Sequence, residues 1–267
     1  MTMVWSPNYL GSPGKLILAA TPTWNPTFIK TALWLDAADA STITESGGAV
    51  SQWDDKSGNG NHVAQADPNL RPAVTSNVLN AKPVIRFDGI NDRLQTAAAL
   101  FATPVFGVYS VNANRNPAGE SAWAGQYIGV DSGRTQVYQN GISTRLAALF
   151  DGGGSVAYTG TADSNFHLFG YEKNLNNAHL YYEAVSRGTT SSAATTIANT
   201  SWKIGDPGAG SSGNFFPAAL DAAEIVILSA PASTSDRQKI EGYLAHKWGL
   251  TANLPADHPY KTVEPTP

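Results

Sequence analysis

Apolar and polar residues alternate with a period of two along most of the chain from Leu33 onward. Over 104–111, Val105, Gly107, Tyr109 and Val111 fall on one face, and Phe106 and Val108 on the other. Both faces carry apolar side chains, which predicts an inner strand. Over 165–171, Phe166 and Leu168 oppose His167, Phe169 and Tyr171. Over 179–185, Leu180, Tyr182 and Ala184 oppose Tyr181 and Val185, and the run reads as one strand. Segments 33–36 and 201–205 read as short strands. Ile225, Val226, Ile227 and Leu228 in succession predict a strand covered on both faces. Gly- and Ser-rich stretches, notably 152–155 and 208–213, separate these strands. Many short strands with polar turns predict an all-β sandwich or jelly roll.

One segment departs from this period. Ile240, Tyr243, Leu244 and Trp248 fall at helical spacing on one face, which predicts an α-helix over about 235–248. Ser235 is placed to cap its N-terminus, with Gln238 three residues later as in a capping box, and Gly249 follows as a left-handed C-terminal cap. Burial of those four side chains contributes at most on the order of 6–12 kcal/mol, so the helix is expected to be integral to the domain.

Two polar segments interrupt the strands. One is Trp53-Asp54-Asp55-Lys56-Ser57-Gly58-Asn59-Gly60-Asn61-His62; the other is Val84-Ile85-Arg86-Phe87-Asp88-Gly89-Ile90-Asn91-Asp92-Arg93-Leu94. Each reads as strand, tight turn, strand, because Asn-Gly and Asp-Gly supply the positive φ of hairpin turns. Residues 1–31 follow neither period. Pro7, Pro13, Pro22 and Pro26 break any helix or central strand, and Trp5, Tyr9, Trp24 and Phe28 lie between them. This predicts an extended arm with aromatic anchors, which either wraps its own sandwich or docks on a neighbouring subunit. Residues 32–267 form the domain proper.

Composition narrows the chemistry. The 267 residues include no cysteine, which excludes disulfides, thiol catalysis and thiolate metal sites. A chain of this length buries enough surface to fold without such staples. The net charge is −4 and 14% of residues are charged, with no Lys/Arg cluster able to neutralise a run of phosphates, so nucleic acid is not an expected partner. No apolar run reaches the roughly 18 residues of a membrane span. The apolar run Lys15-Leu16-Ile17-Leu18-Ala19-Ala20 is shorter than a signal-peptide core. No Sec signal is expected, and export would follow lysis or particle assembly.

Glycoside hydrolysis needs two carboxylates across the bond. No Glu here is followed two residues later by Asp, so the Glu-x-Asp-x-x-Glu pattern is absent. Asp221 and Glu224, three apart, should face opposite sides of a strand. Residues 208–213 match GxGxxG, but Asn214-Phe215-Phe216-Pro217 follow where a helix is required. P-loop, GxSxG and HExxH motifs are missing. His62, His167, His179, His246 and His258 are scattered, and none is assigned a base or metal role. Asp54, Asp55, Asp88, Asn91 and Asp92 are hard oxygen donors that could hold calcium. The competing role, bonding their own turn backbones, is preferred, and no metal or other cofactor is assigned. Sugar sites combine aromatic faces with amides. Trp123, Gln126 and Tyr127 form one candidate group, and Tyr138 with Asn140 another. Tyr171, Tyr181 and Tyr182 are further rings, expected mainly in the core or in cross-strand pairs.

Three segments carry a family resemblance. Residues 53–62 resemble the "DxSGNGNH" opening of laminin-G-like domains in the concanavalin A-like lectin–glucanase superfamily, and 84–94 resemble their "FDGxxD" hairpin. Tyr243-Leu244-Ala245-His246-Lys247-Trp248-Gly249-Leu250, with the later Leu254-Pro255-Ala256-Asp257-His258-Pro259-Tyr260, is similar to the tail of bacterial and phage members. Together these segments bracket residues 33–261. The resemblance implies a concanavalin A-like jelly roll of two antiparallel sheets with a C-terminal α-helix, in a group where many members bind calcium at the rim. It also implies a non-enzymatic structural and recognition protein, most plainly on a phage virion as a decoration, tail or fibre component, with glycan binding. Its partners would then be other virion subunits, reached through the arm, in a homo-oligomeric assembly, and a cell-surface glycan. The alternatives are a bacterial extracellular carbohydrate-binding or adhesion module and, behind it, a carbohydrate-active enzyme.

Overall fold

The computed structural model describes residues 23–103, 105–116, 128–130, 135–140, 145–149, 155–159, 163–191, 201–205 and 219–267; between 128 and 159 it describes the backbone and, of the side chains, Tyr158 alone. In chain order the described strands are β1 (Thr31–Asp36), β2 (Ile43–Ser46), β3 (Ala49–Trp53), β4 (Val63–Ala64), β5 (Ala73–Leu79), β6 (Lys82–Asp88), β7 (Arg93–Thr96), β8 (Val105–Asn114), β9 (Ile128–Val130), β10 (Thr135–Asn140), β11 (Arg145–Leu149), β12 (Ser155–Thr159), β13 (His167–Asn174), β14 (Asn177–Tyr182), β15 (Val185–Ser191), β16 (Lys203–Gly205) and β17 (Ala219–Leu228). The described α-helix is α1 (Thr234–Trp248).

Every described pairing is antiparallel. The front layer centres on β17, which pairs with β8 along one edge and with β6 and then β1 along the other. β13, β14 and β15 extend it beyond β8. The back layer runs from β2 through β3, β4, β7, β16, β9, β10 and β11 to β12. β5 joins the layers, pairing with β6 and meeting β3 at Ala49 and Ala73. The fold is a jelly-roll β-sandwich with a helix laid on its front sheet.

The apolar run in β17 is buried on both sides because each side has a cover. Ile225 and Ile227 stand opposite Leu35 and Leu33 of β1, facing the inter-sheet core. There Trp202 packs edge-on against Phe106 and Phe101, and Trp53, Phe87 and Leu94 are fully buried. On the other side, Ile240, Leu244 and Trp248 of α1 are completely buried, as their spacing predicts. Ser233, not Ser235, caps the helix: its hydroxyl accepts from the Asp236 amide at 3.1 Å and donates to the Asp236 carboxylate at 2.8 Å. The cap lies two residues earlier than expected, and Asp236 rather than Gln238 is the residue paired with the capping side chain. Gly249 closes the helix with φ 74°, as expected.

The two turn segments differ from the hairpins their residues suggest. β6 and β7 do not pair with each other; β6 belongs to the front layer and β7 to the back. Residues 88–92 are a corner between sheets. Asp88 Oδ1 accepts from the amides of Ile90, Asn91 and Asp92, and Asp92 Oδ2 accepts from the Asp88 amide. Gly89 is required twice over: its φ is +82°, and a Cβ would lie 2.8 Å from that of Ala219. Segment 54–62 does connect paired strands, β3 and β4, but as a long loop laid along the edge of β1. The Lys56 amide bonds the Trp34 carbonyl, Asp55 Oδ1 receives the Trp34 amide, and Asn61 Nδ2 donates to the Ala32 carbonyl. Those bonds satisfy an edge that would otherwise invite pairing with another chain.

A register shift between Ala222 and Glu224 overturns the expectation for Asp221 and Glu224. Asp221 stands opposite Ala113 and Glu224 opposite Val111, so the extra residue returns both carboxylates to one face. They serve separate clusters. Asp221 takes a bidentate pair from Arg86 at 2.7 and 2.6 Å. Glu224, fully buried beneath α1, is met by Trp34 Nε1, Trp248 Nε1, the Tyr243 hydroxyl and Lys247 Nζ, all within 2.9 Å.

Candidate functional site

The 179–185 run is not one strand. β14 ends at Tyr182, and Glu183 and Ala184 form a two-residue turn with φ of 52° and 59° before β15 begins. This hairpin geometry normally calls for Asn-Gly. Two side-chain-bearing residues in left-handed conformation cost of order 1 kcal/mol or more each. The cost is met locally: the Glu183 amide donates to the Leu168 carbonyl at 2.9 Å, and Asn253 Nδ2 donates to Glu183 Oε1 at 3.0 Å.

The turn aims Glu183 at His167, the first residue of β13. His167 lies on the inner face, opposite Asn112 of β8. Its Nδ1 is 2.6 Å from Glu183 Oε1 and 2.8 Å from the Tyr182 hydroxyl, and its Nε2 is 2.7 Å from Asp163 Oδ1. Asp163 is itself fixed by the Asn165 amide at 2.9 Å and Asn165 Nδ2 at 2.7 Å. Burial opposes charge on the imidazole, but the two carboxylates outweigh it and hold the His167 pKa above its ordinary value. Asp163 is held below the usual carboxylate range: burial works against this, and the bonds from His167 and Asn165 prevail.

Aromatic rings surround this charge. Tyr182 lies 5.0 Å from the His167 ring, 5.5 Å from Phe169 and 5.6 Å from Tyr158 of β12. The Arg187 guanidinium covers Tyr158 at 4.1 Å and reaches Tyr182 at 5.5 Å. Burial raises the Tyr182 pKa, with Glu183 and Asp163 adding to the effect, so its phenol stays protonated. Of the buried atoms here, Glu183 Oε2 and Arg187 Nε have no hydrogen-bond partner among the described residues, and neither do Asn112 Oδ1 and Asn114 Nδ2 on the neighbouring β8. The polar surface continues along β8, where Asn112 Nδ2 donates to Ser110 Oγ at 2.8 Å; Ser110, Asn112 and Asn114 are all buried. This end of the front sheet therefore offers aromatic faces, a fixed cation and carboxylates in one place. Among the described residues, no three His, Asp or Glu converge as a metal-holding group.

Of the residues marked out by sequence, Trp123, Gln126 and Tyr127 lie outside the described residues, as do Trp5 and Tyr9. Tyr138 and Asn140 belong to β10, opposite Ala147 and Arg145 of β11, and their side chains also lie outside the description. Trp24 is 2% exposed and meets Tyr243 of α1 edge-on at 5.8 Å; Phe28 is 49% exposed. Asp55 accepts from the amides of Trp34, Ser57 and Asn61 and from the Ser57 hydroxyl. Asp54 lies 2.7 Å from Gln52 Nε2 and 3.2 Å from His62 Nδ1. Of the further rings, Tyr182 joins this cluster, Tyr171 is fully buried and Tyr181 lies under the Arg237 guanidinium. The sequence singled out neither Tyr158, Asp163, Glu183 nor Arg187, and gave His167 no role; its usable signals were the Tyr182 ring and the alternation that set His167 on the same side as Phe169 and Tyr171.

No family model and no curated protein sequence matches the chain. Solved structures do resemble it. Trypanosoma rangeli sialidase in complex with sialic acid aligns with a TM-score of 0.58 at 12% identity, covering 80% of this chain and 33% of that one. The binding domain of Paraclostridial Mosquitocidal Protein 1 aligns with a TM-score of 0.58 at 9% identity, covering 82% and 53%. The ligand-binding domain of botulinum neurotoxin serotype D, in complex with N-acetylneuraminic acid, gives 0.53 at 10% identity, covering 79% and 50%. The chain thus spans from a third to about half the length of these structures. The shared feature is the fold, a β-sandwich.

Proposed function

We propose that this chain is a non-enzymatic glycan-binding module that recognises sugar at the inner-face cluster around His167 and Tyr182. The observation that carries this reading is the joining of aromatic faces to rigidly held donors and acceptors, on a turn kept in a costly conformation. Sugar sites need both: rings for the apolar face of a pyranose, and fixed polar groups for its hydroxyls. The solved toxin domain bound to N-acetylneuraminic acid adds support, since it carries a ligand of this class on a similar sandwich. Hydrolysis fits the cluster less well. A glycosidase needs its two carboxylates to flank the scissile bond, whereas Asp163 and Glu183 flank an imidazole that both already bond.

Display on a virion surface is the setting we favour, on the strength of the family resemblance and of the proline-broken, aromatic leading segment. In that setting residues 1–22 dock on other subunits, while Trp24 belongs to the sandwich. Deleting 1–22 should leave cooperative unfolding intact and abolish incorporation into the parent particle; a truncated chain that still incorporates would refute the docking role. The binding role is tested by probing a broad glycan array with the full chain and assaying polysaccharides for turnover. Saturable binding without cleavage is expected. Silence across the array, or depolymerisation, would overturn the reading.

A further inference from the structure

We propose that the β14–β15 turn is a proton-operated latch: protonated His167 clamps Glu183, and the neutral ring exchanges Glu183 for the Tyr182 hydroxyl. One crowded nitrogen carries the argument. His167 Nδ1 lies 2.6 Å from Glu183 Oε1 and 2.8 Å from the Tyr182 hydroxyl, while Nε2 lies 2.7 Å from Asp163 Oδ1. The imidazolium donates from both nitrogens and so holds both carboxylates. The neutral ring has a single N–H and can hold only one. With that proton on Nε2, Asp163 keeps its donor and Nδ1 becomes an acceptor facing two oxygens. The Tyr182 hydroxyl has a proton to give it, and the Glu183 carboxylate has none. Lone pairs left so close repel, and Glu183 must move.

The two acids are not held alike. Asp163 is fixed from its own side by two bonds from Asn165. Glu183 sits on a turn whose residues have φ of 52° and 59°, a conformation that persists only while its surroundings enforce it. Without His167, its carboxylate keeps the Asn253 amide alone among the described residues. The charged and titratable groups facing this ring or the tyrosine beside it are Asp163 ahead of β13, Tyr182, Glu183, Arg187 of β15 and Tyr158 of β12. β8 and the 251–253 turn present the amides of Asn112 and Asn253. Burial lowers the imidazole pKa and the two acids raise it by more, so release falls above about pH 6.5. Tyr182 remains a donor throughout, since burial raises its own pKa. Arg187 rides on β15, so its cover over Tyr158 loosens with the turn.

The test follows the full chain from about pH 6 to about pH 9 by nitrogen NMR of the imidazole and by hydrogen exchange at the Glu183 amide, corrected for base catalysis. The neutral ring should keep its proton on Nε2. Protection of the Glu183 amide, which donates to the Leu168 carbonyl, should fall roughly tenfold. Tyr182→Phe removes the competing hydroxyl, and Asp163→Ala leaves Glu183 as the carboxylate that claims the proton. In each variant the neutral ring should carry its proton on Nδ1, and protection should stay level across the range. A merely structural role for either residue predicts the opposite, a looser turn at both ends of the range. A neutral wild-type ring protonated on Nδ1, protection that ignores pH, or an equal fall in the variants would overturn the latch; the glycan-binding reading does not depend on it.

Discussion

His167 concentrates the electrostatics of the molecule at one residue. Its pKa is raised in the folded state by Glu183 and Asp163. The stabilisation from this group is therefore complete below the ordinary imidazole pKa of about 6.5 and is lost as pH rises through the folded value. Melting curves from pH 5.5 to 9 should show stability falling across that window, and His167→Gln should remove the fall; an unchanged slope in the variant would assign it elsewhere. Asp92 has the same sign in a more acidic range. Burial pushes it up to about 6, with the nearby Asp88 charge adding to the effect against the Asp88 amide and Arg115. The native state holds this proton more tightly than the unfolded chain, so the contribution of Asp92 declines as pH rises from about 4 to 6. Asp92→Asn, which can still accept from the Asp88 amide, should flatten that interval and raise stability above it. Neither shift is legible in the sequence, because burial is the largest influence on both and Glu183 lies 16 residues from His167.

The C-terminal element explains why its sequence is so particular. Glu241 bonds Arg237 at 2.7 and 2.9 Å and His258 at 3.2 Å. His246 Nε2 donates to the Tyr260 carbonyl at 2.9 Å, and Gly242 admits the Tyr260 ring where a Cβ would lie 2.4 Å from the Tyr260 Cβ. Tyr243, Lys247 and Trp248 converge on Glu224. The motif that carries the family resemblance is therefore a clasp between helix, tail and sheet. Glu224→Leu should cost about 3–5 kcal/mol, since it leaves two indole N–H groups beneath the helix without an acceptor and Lys247 with Asp36 as its remaining acid; chemical denaturation measures it. Trp24→Ala should cost a similar amount, about 3–5 kcal/mol, by opening a cavity against Tyr243. The helix was legible because four apolar residues at regular spacing outweigh a two-residue displacement of its cap. The β14–β15 turn was not, since Glu183-Ala184 has none of the residues that usually announce one.

At the scale of the molecule, the sandwich could be read from alternation alone, but its path could not. Phe87-Asp88-Gly89 has the composition of a hairpin, and a carboxylate holding three amides builds a sheet-to-sheet corner from the same residues. Period-two counting also misplaced Asp221 against Glu224, since one bulged residue inverts every face beyond it. β17 lies between β8 and the edge shared by β1 and β6, yet it begins at Ala219, almost two hundred residues after β1 begins at Thr31. The centre of the front sheet is thus, among the described strands, the last to leave the ribosome. A nascent chain halted before Ala219 holds two facing edges with nothing between them, so the early strands wait, exposed, for a wedge made after every strand it joins. Contacts of such long range make folding slow and place the hazard of wrong pairing in that interval.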